Sequence, residues 1–180
     1  MSERPALLRR HGVTEDGRTY LVRPTTSDDA AALVSVHDEV AAEGGLIASA
    51  PGERSILEEH LTLAALVTQG GVALTLVVEG EVSGQLLVNR RRDDEASVGD
   101  IAIVVHKSSR GVGLGRVLME TAIDWAHAVG LHKLGLSVFG DNGTAIGLYR
   151  SMGFVEEGSV RQRAGGSESR RQVLVMGLRL

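Results

Sequence analysis

The stretch Arg110-Gly111-Val112-Gly113-Leu114-Gly115-Arg116 constrains this chain more than any other part of it. It follows the apolar run Ile101-Ala102-Ile103-Val104-Val105, and it opens a segment in which Leu114, Leu118, Ala122, Trp125 and Val129 recur every three or four residues. The run suits a strand buried on both faces, the periodic segment suits an amphipathic helix, and Gly130 suits the stop of that helix. Glycines at alternate positions leave backbone amides open at the positive end of the helix, an arrangement that can hold an anion such as a pyrophosphate. The other reading of the same turn is a tight strand-to-helix connection with no ligand. Its spacing is GxGxG, which lacks both the GxGxxG of a dinucleotide fold and the GxxxxGK followed by Ser or Thr of a P-loop.

The rest of the chain fits around this unit. Residues 1–18 are polar, are punctuated by Pro5, Gly12 and Gly17, and read as a flexible tail. A first strand over 19–23 ends at Pro24. Thr25 to Asp29 offers caps for a helix carrying Ala30, Leu33, Val36 and Val40, which Gly44 and Gly45 stop. A second helical stretch carries Ile56, Leu57, His60, Leu61, Ala64, Ala65 and Leu66. Residues 72–78 and 82–89 flank the turn Glu79-Gly80-Glu81 as a hairpin, and the charged residues 90–95 read as a solvated connection. After the central helix come a strand over 134–139, a short helix over 141–151, a strand over 154–160, a Gly- and Arg-rich loop over 161–171 and a last strand over 173–180. This order mixes hairpins with one βαβ crossover, so residues 19–180 are expected to form one α/β domain with helices on both faces of a mixed sheet.

Composition excludes several classes. The chain has no Cys, which rules out disulfides, thiolate metal sites and a covalent acyl-cysteine. Its net charge of -4, with acids and bases mixed, provides no basic field for a nucleic acid. No apolar run approaches the ~20 residues of a membrane span, and the charged residues Glu3, Arg4, Arg9 and Arg10 are unlike a signal peptide. The expected location is the cytoplasm, without a membrane partner. The six histidines show no metal-ligand spacing, and no metal is expected.

Arg110-x-x-Gly113-x-Gly115 resembles the acyl-CoA signature, R/Q-x-x-G-x-G/A, of the GNAT superfamily of N-acetyltransferases. Downstream, Asn142-x-x-Ala145-x-x-Leu148-Tyr149 followed by Met152-Gly153-Phe154 is similar to that family's second motif. With Arg23-Pro24 and the closing Leu174-Val175-Met176, the resemblance extends over about residues 19–180. It implies a mostly antiparallel sheet with a splayed central strand pair and with acetyl-CoA as co-substrate. Pantetheine would lie in the gap against main-chain groups of Ile103, Val104 and Val105. The pyrophosphate would meet the amides of Gly111, Val112, Gly113, Leu114, Gly115 and Arg116, with Arg110 and Asn142 also binding the coenzyme.

The activity implied is transfer of an acetyl group to a primary amine of a small molecule, an amino acid or a protein N-terminus, by direct attack in a ternary complex. The alternative is a non-catalytic acyl-CoA-binding regulatory module. Transfer requires loss of the amine's proton, stabilisation of an oxyanion and protonation of the departing thiolate. The resemblance gives the last task to Tyr149, whose residue type alone reads as a core aromatic. A backbone amide near Val104 or Val105 would meet the oxyanion. Asp100, just before the apolar run, is the expected base, with Glu79 as a second candidate. Arg170, Arg171 and Gln172 stand where many members carry an aromatic and an acid, which favours an acceptor bearing a carboxylate or phosphate. The acceptor pocket is expected between residues 43–53 and 161–171. An exposed last strand is compatible with a homodimer.

Overall fold

The computed structural model describes residues 8–91, 97–163 and 170–180. Among them runs one eight-stranded sheet, composed of β1 (Arg10–Val13), β2 (Thr19–Pro24), β3 (Val72–Val78), β4 (Glu81–Arg90), β5 (Val98–Val105), β6 (Lys133–Phe139), β7 (Val155–Arg163) and β8 (Arg170–Arg179). The order is β1-β2-β3-β4-β5-β6-β8-β7, antiparallel throughout except for the β5–β6 pair. Four helices accompany it: α1 (Ala30–Ala42), α2 (Ile56–Thr68), α3 (Leu114–Ala128) and α4 (Gly143–Ser151). The expected mixed α/β sandwich is therefore the observed fold.

Strand alternation divides the side chains between two layers. On one face Leu74, Leu76, Leu86, Val88, Ile101 and Leu134 pack with Leu118, Met119 and Ala122 of α3 and with Ile146 and Tyr149 of α4. On the other, α1 and α2 lie over β3, β4 and β5, and Val104 packs against Val36 and Val40. That second layer is partly polar. Asp29 is buried under a bidentate contact from Arg23 (2.6 and 2.7 Å), and it accepts from the Thr26 amide (2.8 Å) and from Thr75 Oγ1 (3.2 Å). The Arg23-Pro24 strand end and the first helix are thereby tied together. No helix among the described residues is long and apolar enough to cross a membrane.

Three expectations need correction. Residues 10–13 are not tail but β1, paired in register with β2 from Arg10↔Val22 to Val13↔Thr19. Asp16-Gly17 closes that hairpin: Gly17 takes φ 87° and Thr14 Oγ1 accepts from the Arg18 amide at 3.0 Å. Second, the loop over 161–171 is shorter than expected, because β7 and β8 run on as a hairpin to Arg163 and from Arg170, and residues 164–169 lie outside the described residues. Third, the charged connection over 90–95 begins one residue late, since Arg90 still belongs to β4; residues 92–96 lie outside the described residues.

Candidate functional site

The site begins where β5 and β6 part. Their parallel pairing covers only Val98↔Lys133 to Ile101↔Leu136, although β5 continues to Val105 and β6 to Phe139. On its other edge β5 stays paired with β4 as far as Gly84↔Val105. Two bonds set the phase of that ladder: the Arg91 amide to the Val98 carbonyl (3.0 Å) and the His106 amide to the Ser83 carbonyl (2.8 Å). Even-numbered residues from 98 to 106 thus turn their main-chain groups toward β4, and odd-numbered ones turn theirs toward β6. Ile103 and Val105 present amides to the gap. Val104 does not, because it is paired with Gln85. The expectation for Val104, both as a main-chain partner of pantetheine and as an oxyanion donor, is corrected on this ground, and Ile103 and Val105 retain it.

The splay opens a cavity of about 1210 Å³, reaching from the glycine turn to Ala102, Ile103 and Val104 on one wall and Ser137, Val138 and Tyr149 on the other. This exceeds the ~300–1,000 Å³ of an ordinary small-ligand pocket, leaving room for an extended ligand and a second reactant.

At one end lies the glycine turn. Gly111 and Gly113 take φ 77° and 85°, a region an L side chain rarely occupies, and a Cβ on either would meet nothing within 4 Å. Their role is thus backbone shape and open access. Gly115 serves packing instead, since its Cβ would stand 3.3 Å from Leu148 of α4. Among the described residues the amides of Gly111 through Gly115 have no hydrogen-bond partner, while those of Arg116 and Val117 already bond the Gly113 carbonyl (3.0 and 3.2 Å). Five consecutive open amides at a helix start form an anion cradle. Arg116 does not extend it by its amide, and its guanidinium reaches Ser151 Oγ at 2.6 Å.

Arg110 lines the cavity, and its side chain is also held by the protein. Its Nε donates to the Val105 carbonyl (2.8 Å), and its Nη1 and Nη2 grip both oxygens of Glu43 (2.7 Å each). It ties the end of α1 to the end of β5 and fixes the position of the turn. Asn142 caps α4 by accepting the Ala145 amide (3.2 Å) and lines the cavity, so capping and cavity lining coexist.

Tyr149 projects from α4 into the cavity wall with 6% of its surface exposed, its ring 6.0 Å from that of Phe154. Among the described residues its hydroxyl has no hydrogen-bond partner. Burial pushes the phenol up to about 12, so at neutral pH it is a hydrogen-bond donor and never a phenolate. Asp100 also lines the cavity, on the face of α1 and α2, with Arg91 engaging both oxygens (2.9 and 3.0 Å). Glu79 lies elsewhere: it accepts from Thr19 Oγ1 (2.8 Å) at the β3–β4 turn and does not line the cavity. Arg171 pairs with Asp141 and stacks over Phe139 at 4.4 Å, so its charge is already occupied. Among the described residues no group of His, Asp or Glu could hold a metal ion.

A second, smaller cavity of about 150 Å³ opens on the α1 side of β5 and shares Ile47, Ala102, Ile103 and Val104 with the first. His37, Arg54 and Gln85 line it, and Glu59 lies behind them with no exposed surface. Sequence reasoning missed this group, whose members lie on α1, the 43–55 connection, α2 and β4. The one local signal was the capping box of Ser55 and Glu58, which fixes the start of α2 directly after Arg54.

Comparison with known proteins bears on this geometry. The family model described as Acetyltransferase (GNAT) family matches residues 41–154. The mycothiol acetyltransferase of Paenarthrobacter aurescens is 34% identical over 88 residues, which cover 47% of this chain and 27% of that protein. The ribosomal protein bS18-alanine N-acetyltransferase of Escherichia coli is 36% identical over 85 residues, covering 47% of this chain and 56% of that one. The chain thus spans well under two thirds of the length of either relative. A crystal structure of a GNAT-family acetyltransferase from Streptococcus pneumoniae superposes with a TM-score of 0.79 at 28% identity, covering 89% of this chain and 99% of that one.

Proposed function

Because the chain belongs to the GNAT acetyltransferase family, we propose that it transfers an acetyl group from acetyl-CoA to the nitrogen of a primary amine by direct attack in a ternary complex. The observation that carries this reading is the juxtaposition of two features: a splayed strand pair with the free amides of Ile103 and Val105, and a glycine turn with five open amides at the end of the same gap. The turn would bind the pyrophosphate. An extended amide-bearing arm would lie along β5 as a pseudo-strand, bringing the thioester beside Tyr149.

The Val105 carbonyl is already taken by Arg110, so that residue offers the gap its amide alone, while Ile103 offers both amide and carbonyl. A thioester carbonyl directed at one of these amides would find a fixed donor for the oxyanion as the amine adds. Collapse of the tetrahedral intermediate expels the thiolate. With a pKa of about 12, Tyr149 would lose its proton to a thiolate near ~8.5 only against a large gradient. Its role is a hydrogen bond to the sulfur as charge develops, and the proton that finally neutralises the thiolate is one released by the acceptor ammonium.

Each Asp100 oxygen keeps a lone pair beyond the one used by Arg91, so Asp100, or a water in the cavity it lines, would accept that proton. The test is acetyl-CoA titration by calorimetry, followed by thiol release across amines, amino acids and peptides. Binding with turnover is expected, and absence of acetyl-CoA binding would overturn the reading.

A further inference from the structure

The small cavity contains an arginine only partly used by the protein. Arg54 Nη1 lies 2.8 Å from His37 Nε2 and 3.1 Å from the buried carboxylate of Glu59. Among the described residues its Nε and Nη2 have no partner. One edge of a guanidinium is therefore anchored, while the Nε–Nη2 donors remain for a ligand in the cavity that Arg54 lines. The anchor is itself braced, because the Gln85 amide donates to Glu59 at 2.7 Å. Burial, reinforced by the Arg54 charge, lowers the pKa of His37, which favours the neutral ring that accepts from Arg54. The other titratable group facing His37 is Asp38 on its own helix, and β5 contributes only the apolar Ala102, Ile103 and Val104 to this cavity.

Resting on the transferase reading above, we propose that the acceptor is a free amino acid or a similarly small amine carrying a carboxylate, gripped by the Nε–Nη2 edge of Arg54. Two planar N–H donors match the two oxygens of a carboxylate. The shared wall of Ala102, Ile103 and Val104 places an amine on the same molecule next to the gap where the thioester would lie. A cavity of about 150 Å³ suits a molecule of that size. The N-terminal residue of a protein has no free carboxylate to offer Arg54. Arg171, which the sequence suggested for an anionic acceptor, is neutralised by Asp141 and lines neither cavity. If Arg54 served only to neutralise Glu59, any cation there would suffice, and the acceptor's carboxylate would make no difference.

The experiment compares each L-amino acid with its amide, measured by calorimetric binding to the CoA-loaded protein and by steady-state thiol release with acetyl-CoA. The accepted amino acid is expected to show a KM about 10–100-fold below that of its amide, with kcat within a few-fold. Arg54→Lys keeps the charge beside Glu59 but loses the fork, and should bring acid and amide within about three-fold without changing acetyl-CoA affinity. A double variant, Arg54→Gln with Glu59→Gln, removes the buried carboxylate together with its partner and should behave alike if Arg54→Lys folds poorly. Amides used as well as acids, or a preference that survives in Arg54→Lys, would overturn the proposal. Acetyl-CoA binding with turnover only of amines lacking a carboxylate would also overturn it and leave the transferase reading standing. Loss of acetyl-CoA binding in the unaltered protein would instead remove the transferase reading, and Arg54-dependent binding of amino acid over amide would still support the site.

Discussion

Replacing Tyr149 with Phe isolates one hydroxyl. In the folded protein that hydroxyl has no hydrogen-bond partner among the described residues, while the ring is 6% exposed and packs against Phe154. Phe keeps the ring and its contacts, so removal should change stability by less than about 0.5 kcal/mol and leave acetyl-CoA affinity within about two-fold. Turnover should behave differently. Loss of one fixed donor aimed at developing charge costs about 10²-fold in kcat, equivalent to about 2.7 kcal/mol of transition-state stabilisation. The assay is steady-state thiol release at saturating acetyl-CoA, with urea denaturation on the same preparation. The pH profile adds a second constraint: a phenol near 12 stays protonated across the working range, so Tyr149 contributes no alkaline limb below about pH 10. An unchanged kcat in Tyr149→Phe would refute the assignment. So would an alkaline limb near pH 9 in the unaltered protein that disappears in the variant.

Gly113 at φ 85° should not tolerate a side chain: Gly113→Ala should lose about 1–2 kcal/mol of stability from the left-handed backbone alone, and at least about ten-fold in acetyl-CoA affinity from a methyl among the cradle amides, both measurable by denaturation and calorimetry. Asp29→Asn should destabilise at neutral pH. Burial raises the Asp29 pKa, but Arg23 and the Thr26 amide outweigh it and hold it at about 2, below the ordinary 3.8. The resulting contribution, about 2 kcal/mol, is present above pH ~4 and lost as pH falls toward ~2, so urea midpoints of the two proteins should converge over that window. Gly45→Ala combines φ 78° with a Cβ placed against the Arg171 guanidinium. The arginine tip can swing aside, so the expected loss in denaturation is the backbone strain of about 1–2 kcal/mol, accompanied by a higher acceptor KM as the 43–53 connection shifts.

The parts legible in the sequence were those whose cause is local. The glycine turn was readable because positive φ and open amides demand Gly at particular positions, and β5 because a strand buried on both faces has no polar alternation to break. Asn142 was readable as a cap for the same reason. The N-terminal strand was misread although Asp16-Gly17 is a hairpin signal, because β1 is only four residues long and Arg10 finds its partners, Glu120 and Asp124, on α3. The phase of β5 was also hidden. Which of Val104 and Val105 faces the gap depends on the register with β4, a non-local pairing that no run of apolar residues encodes. On α2 the sequence gives Leu57 and Leu61 as apolar positions, yet they are 67% and 60% exposed while Glu59 is fully buried. Burying a carboxylate inverts the usual pattern, and it is tolerable only because Arg54 and Gln85 arrive from outside the helix to meet it.

The gap persists because each strand beside it is held on its outer edge. β4 pairs β5 through Val105, and β8 pairs β6 through Phe139↔Val173, so closing the gap would break a ladder already made on each side. Val104 is drawn toward Val36 and Val40 of α1, and Arg110 bonds the Val105 carbonyl, removing one acceptor that β6 would otherwise seek. From the opposite layer α4 presents Tyr149 along the cavity wall. The main-chain groups of Ile103 that remain face the cavity, where an extended amide-bearing ligand of the kind proposed above would pair with them. The open strand pair is thus a consequence of packing on its two outer sides, and it is the same packing on the α1 side that places Arg54 beside the shared wall of β5.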